Sequence, residues 1–126
     1  MKIICTICSR RKKEDSDLLP ARERYSGDHI KLVKDIARKS KLPLYFLSGR
    51  YGLISGNTMI PYYDYYLEDA VVNTLTKLVV DQIKENKISE IEFYAEDKPS
   101  WAPYKNVITF DVAEADITLH DHTISG

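Results

Sequence analysis

The stretch Pro43-Leu44-Tyr45-Phe46-Leu47-Ser48-Gly49-Arg50-Tyr51-Gly52 carries the first decision about the fold. Proline opens a four-residue apolar run, too short for a helix and bearing aromatic residues that fit a pleated surface. The run stops at a serine and two glycines three apart, which mark a tight turn or a close backbone approach. This reads as a buried strand that ends in a special loop. Upstream, residues 28–40 place Ile30, Val33, Ile36 and Ala37 at helical spacing. Gly27-Asp28 supplies an N-cap, and lysine and arginine crowd the last turn, where they oppose the negative end of the helix dipole. Further upstream, residues 2–8 hold Ile3, Ile4, Cys5 and Ile7, a second buried run that breaks off at Ser9 and a polar stretch reaching Asp17.

Downstream, residues 57–66, with Pro61 and four tyrosines, read as irregular. Leu67, Val71, Leu75, Leu78, Val79 and Ile83 then line one side of a long helix that runs to about Glu85 and stops at Asn86. Residues 88–94, with Ile91 and Phe93 in period two, predict a third strand. Val107-Ile108-Thr109-Phe110 predicts a fourth, after a loop containing Pro99 and Pro103. The tail, with Ile117, Leu119, His120 and His122, reads either as a last short strand or as a partly ordered end. Strands alternating with helices predict one three-layer α/β domain over residues 1–126. Its sheet would be Rossmann-like and mostly parallel, with about four or five strands, right-handed crossovers and helices on both faces.

Composition sets the bounds. A chain of 126 residues, 44% hydrophobic and 29% charged, is long enough for one real core and is not disordered as a whole. Eighteen basic and nineteen acidic residues leave a net charge of −1, so no global field draws the protein toward nucleic acid or an anionic membrane. Any anion site is therefore local. The first residues lack the apolar core of a signal peptide and no stretch reaches the ~18 apolar residues of a membrane span, so the expectation is a cytoplasmic protein without a membrane partner. Two cysteines make no disulfide framework and are expected as free thiols.

In parallel sheets ligands bind beyond the carboxyl ends of the strands. Cys8-Ser9-Arg10 and Ser48-Gly49-Arg50-Tyr51-Gly52 both leave such ends, so chain order alone puts them on one edge. Backbone amides and arginine forks after the first strand can hold a phosphate or carboxylate, and nearby cations would favour the Cys8 thiolate; the alternative is a solvated charged loop. In the second loop Gly49 and Gly52 admit a ligand, Arg50 supplies charge and Tyr51 a stacking face; alternatively it is a plain turn. Arg22 and Arg24, with Tyr25 and Gly27 ahead of the first helix, can complete an anion site or simply pair with Glu23 and Asp28. Tyr62 and its neighbours to Tyr66, around Asp64, serve either as a pocket wall or as a homo-oligomer patch. Glu96 and Asp97 close the third strand on the same edge, as a base, a ribose ligand or solvated acids. Cys5-Thr6-Ile7-Cys8 has C-x-x-C spacing, but inside a strand its two ends face opposite ways. With His120-x-His122 as the only tight histidine pair, no metal is assigned.

Cys8-Ser9, Pro20-Ala21 with Tyr25-Ser26-Gly27, Leu47-Ser48-Gly49-Arg50-Tyr51-Gly52-Leu53 and Pro61-Tyr62 through Leu67 together resemble a family of small proteins known only as a domain of unknown function. More distantly, they are similar to the YaaA-type peroxide-stress proteins, with their Leu-Ser-Gly-x-Tyr-Gly stretch followed by Pro-Tyr. The likeness covers roughly residues 1–70. It implies association with DNA and protection from oxidative damage, although YaaA-type proteins are considerably longer.

The functional expectation is a domain that binds a nucleotide, a nucleoside or a nucleic-acid segment. Arg10, Arg22 and Arg50 would meet phosphate, Tyr25, Tyr51 or Tyr62 a base, and Ser9 and Ser48 would line the pocket, with no cofactor. One alternative is an enzyme acting on a nucleoside or its N-glycosidic bond, with Cys8, Asp64 and Glu96 as candidate catalytic groups. Another is an interaction module joined through residues 62–66, with no ligand.

Overall fold

The computed structural model describes residues 1–8, 12–14, 17–62 and 72–124. Its element order is β1 (Lys2–Ile7), β2 (Leu19–Pro20), α1 (Ala21–Arg24), α2 (Asp28–Ser40), β3 (Leu44–Ser48), β4 (Gly52–Ser55), β5 (Met59–Ile60), α3 (Val72–Glu85), β6 (Glu90–Glu96), α4 (Ala102–Glu114) and β7 (Thr118–Ile124). A five-stranded sheet runs in the order β4-β3-β1-β6-β7; β4 is antiparallel to β3 and every other neighbouring pair is parallel. A separate two-stranded ribbon joins β2 and β5. The protein is a mixed α/β fold with a mostly parallel sheet and four helices among the described residues.

β1 lies at the centre because its side chains are apolar on both faces, as a strand covered on both sides requires. Ile4 packs with Val33 and Ala37 of α2. Ile3, Cys5 and Ile7 join Ile91 and Phe93 of β6, Leu75, Val79 and Ile83 of α3, and Val107, Ile108 and Val112 of α4 in the larger cluster. Burying each such aliphatic or aromatic side chain contributes about 1.5–3 kcal/mol. α2 starts at Gly27 and ends where Lys41 turns left-handed (φ 57°), its N–H returning to the carbonyls of Ala37 and Arg38.

Two expectations change. Residues 107–110 form no strand: they lie inside α4, where Tyr104, Val107, Ile108, Asp111 and Val112 recur at steps of three and four and are buried, while Phe110 points outward. Pro103 fits because the first turn of a helix needs no N–H from it. The Ser48–Gly52 loop does not cross to a helix; it is the turn of a hairpin whose second strand is β4. The tail is a full seven-residue strand, β7, at the sheet edge. The expected start of the long helix at Leu67 lies outside the described residues, and α3 is described from Val72.

Arg24 is fully buried. Its guanidinium donates to the carbonyls of Lys13, Asp17 and Ile60, and the Lys13 N–H donates back to the Arg24 carbonyl at 2.8 Å. The side chain thus ties Lys13 and Asp17 to β5. Among the described residues no helix is long and apolar enough to cross a membrane.

Candidate functional site

The chain leaves β1 for β3 on one flank and comes back later to β6 on the other. At such a reversal the connections part beyond the strand ends and leave a crevice, so the gap between β1 and β6 is the place where a parallel sheet can receive a ligand. Cys8 sits at the mouth of β1, its N–H donating to the Leu47 carbonyl at 3.0 Å.

Three residues that the sequence did not nominate gather there. His29, in the first turn of α2, directs Nε2 at the Ile7 carbonyl, 3.0 Å away. A carbonyl only accepts, so Nε2 carries the proton, and in the neutral ring Nδ1 holds the lone pair. Burial lowers the pKa of His29; the Ile7 carbonyl and the charges of Glu96 and Asp28 partly offset this, and Lys98 adds to it. Trp101 meets the imidazole edge-on, with ring centroids 4.8 Å apart. Tyr104, in the first turn of α4, accepts a weak hydrogen bond from the buried Cys8 thiol, with sulfur and oxygen 3.8 Å apart. Glu96 ends β6 and pairs with Lys98 at 2.6 Å, and Asp97 lies 3.9 Å from Lys105. An indole, a phenol, a neutral imidazole and a thiol pack together there, with Cys8, Trp101 and Tyr104 buried and His29 half-buried.

The Ser48–Gly52 turn borders this edge, but its polar groups are engaged internally. Ser48 is buried, and its Oγ accepts from the N–H groups of Arg50 (3.1 Å) and Tyr51 (3.2 Å). Gln82 of α3 clamps the far side: its Nε2 donates to the Tyr51 carbonyl at 2.9 Å and its Oε1 accepts from the Leu53 N–H at 2.6 Å. Gly52 has φ 75°, and a Cβ there would overlap the Gln82 side-chain oxygen. Gly49 shapes the turn beside Arg50, whose exposed guanidinium lies 5.6 Å from the Tyr51 ring centre.

The other nominated residues disperse. Arg22 turns to the Gly56 carbonyl and the Asn57 side chain, in the turn between β4 and β5. Tyr25 is buried edge-on to Phe46 at 5.1 Å, so its ring offers no exposed stacking face. Gly27 serves as the N-cap of α2, and Tyr62 is exposed beyond β5. Ser9, Arg10 and Asp64 lie outside the described residues, as does the rest of the tyrosine segment after Tyr62. Cys5 is fully buried and burial raises its thiol pKa, so it stays protonated and inert. His29 carried one signal that was passed over: the first turn of a helix following a buried strand faces the carboxyl edge.

A cavity of about 310 Å³ lies elsewhere, between α3 and α4, lined by Thr76, Lys77, Val80, Asp81, Phe110 and Glu114; none of the nominated residues lines it. On α4, Asp111 is completely buried. Neither of its carboxylate oxygens has a partner at hydrogen-bond distance, and burial pushes its pKa up to about 7, against a smaller opposing influence from the Thr76 hydroxyl.

No curated protein and no solved structure matches the chain. The model that does match, across residues 3–122, is that of "Family of unknown function (DUF6884)", and the chain belongs to this family.

Proposed function

We propose that the carboxyl edge between β1 and β6 binds the base of a nucleoside, a nucleotide or a nucleic-acid segment. The observation that carries this reading is the convergence of Cys8, His29, Trp101 and Tyr104 from three separate stretches of chain on the point where the strand order reverses. Trp101 and Tyr104 are themselves buried, so a base reaches their rings only as this edge opens. The Nδ1 lone pair of His29 accepts from an exocyclic amine or ring N–H, and Cys8 forms the floor. Arg50, at the neighbouring turn, and Arg10, three positions after Ile7 in the sequence, are the cations assigned to a phosphate in this reading. A three-layer, Rossmann-like arrangement, a cytoplasmic location and the wider YaaA-type likeness of residues 47–53 and 61–62 belong to the same reading.

Trp101 is the only tryptophan in the chain, so its fluorescence reports on this edge alone. Titration with nucleosides, nucleoside monophosphates and short single-stranded oligonucleotides is expected to quench it saturably and to raise the melting temperature. Because one stacked base is worth about 1–3 kcal/mol, Tyr104→Ala is expected to weaken binding roughly 5- to 150-fold, and His29→Ala about tenfold through loss of one hydrogen bond. Neither quenching nor stabilisation by any of these probes would end the proposal.

A further inference from the structure

We propose a second site, for a divalent transition-metal ion, on the sheet face between β6 and β7, formed by His120, His122, Glu90 and Glu92. The two strands are parallel and in fixed register, with Glu92 opposite His120 and Tyr94 opposite His122. Side chains two apart on a strand share a face, so Glu90 and Glu92 stand beside His120 and His122 as two adjacent pairs. The contacts run diagonally: His120 Nε2 lies 2.6 Å from a Glu90 carboxylate oxygen, and His122 Nε2 lies 2.8 Å from Glu92. Ligand atoms of Glu90, Glu92 and His120 all fall within 4.8 Å of one another. Metal–nitrogen and metal–oxygen bonds of about 2.0–2.2 Å can be reached with small rotations of exposed side chains. The His122 ring is already oriented, lying flat on Tyr94 with centroids 4.4 Å apart. The strand backbones therefore hold the donors side by side before any ion arrives.

The donor set selects the ion. Two imidazoles and two carboxylates favour Zn²⁺, Co²⁺, Ni²⁺ or Cu²⁺ over Mg²⁺ and Ca²⁺, which take oxygen donors. Each imidazole binds the metal as the neutral ring through the Nε2 lone pair, with its one N–H on Nδ1. Lys2 is the built-in competitor: its ammonium lies 3.5 Å from Glu90 and 3.4 Å from Glu92 and must swing away when an ion enters. Its side chain is 38% exposed, which leaves room for that movement. The site is independent of the base-binding reading and uses none of its residues.

Co²⁺ added to the full chain tests the proposal, with absorption reporting the ligands and isothermal titration of Zn²⁺ reporting affinity and stoichiometry. One ion per chain is expected, with d–d absorption of nitrogen and oxygen coordination. Both His120→Ala and His122→Ala are expected to cost more than the ~10- to 100-fold lost when a mere supporting partner is removed. Glu92→Gln is expected to cost about tenfold or more, and Lys2→Gln to raise the affinity several-fold by removing the competing cation. All four positions are at or near the surface, and far-ultraviolet circular dichroism and melting of the metal-free variants check that they fold. The proposal is overturned by absence of binding, by affinity unchanged in either histidine variant, by sulfur-to-cobalt charge-transfer bands that place the ion on Cys5 or Cys8, or by an affinity that Lys2→Gln leaves the same.

Discussion

Asp111 should make this protein less stable as the pH rises through the range in which most carboxylates have the opposite effect. Its folded-state pKa is pushed up to about 7 from an ordinary 3.8 by burial, so between those values the folded chain binds a proton that the unfolded chain has released. The stability conferred by that proton is complete below about pH 4, falls across the interval, and is gone above about pH 7. At about 1.4 kcal/mol per pH unit the interval corresponds to roughly 4 kcal/mol. Relaxation of the protein around the charge, which raises the effective dielectric well above that of a dry interior, reduces this to about 2 kcal/mol. Other groups pull the other way: Asp35, Glu90 and Glu92 have lowered pKa values, and His29 resists protonation, so each of these loses stability on acidification. The informative quantity is therefore the difference between wild type and Asp111→Asn, in which those groups cancel. Urea unfolding followed by Trp101 fluorescence at pH 4.5 to 8.5 should show Asp111→Asn gaining on wild type by about 2 kcal/mol as the pH rises, whatever constant offset the amide adds. A flat difference across pH 4.5–7.5, or one sloping the other way, would refute the reasoning.

Gly52→Ala is expected to cost at least about 1–2 kcal/mol in chemical denaturation, because φ 75° is unfavourable for an L-residue and the new Cβ displaces the Gln82 amide. Gln82→Ala should cost about 1–3 kcal/mol by leaving the Tyr51 carbonyl and the Leu53 N–H without their shared partner, and hydrogen exchange at Leu53 should accelerate. Arg24→Ala is expected to be the most damaging of the three, about 3–5 kcal/mol, since three carbonyls lose a charged donor; Arg24→Lys should recover only part of it. Cys5 should resist a thiol reagent in the native protein and react at the rate of global unfolding, an outcome read by quenched labelling and mass spectrometry.

The parts of the fold that could be read from sequence are those where periodicity and burial agree. β1 and β3 announce themselves as short apolar runs because both their faces are covered, β6 by strict alternation of buried and half-exposed residues, and α2 by an apolar stripe with charges opposite. α4 was misread for a local reason: Val107-Ile108-Thr109-Phe110 is β-branched and aromatic, and only the longer view, from Tyr104 to Val112, reveals the spacing that tertiary packing selects over propensity. β7 has only half-exposed and exposed positions, with the alternation broken at His120-Asp121, so there is little apolar contrast to see. At the site, topology was legible and chemistry was not. The edge holding Cys8 and the Ser48–Gly52 turn was correctly inferred from the direction of the strands. Which side chains reach it depends on helix starts: His29 comes from the start of α2, and Trp101 and Tyr104 from the start of α4, between 21 and 96 positions away from Cys8. The arginines illustrate the converse, since Arg22 and Arg24 have the composition of an anion site and are used to fasten loops.

β7 ends the sheet, and a parallel edge seven residues long offers a row of backbone donors and acceptors to any passing strand. Its sequence, Thr-Leu-His-Asp-His-Thr-Ile, answers that hazard on both sides at once. Asp121 projects from one face between Leu119 and Thr123, and the two histidines occupy the other, so a second copy docking edge to edge would bring carboxylates and imidazoles against their own kind. Replacing Asp121 and His122 with valine would leave the chain's own ladder intact and remove that repulsion. Such a protein should fold normally when dilute and form intermolecular sheet as its concentration rises, so resistance to aggregation is carried by the outermost strand rather than by the core.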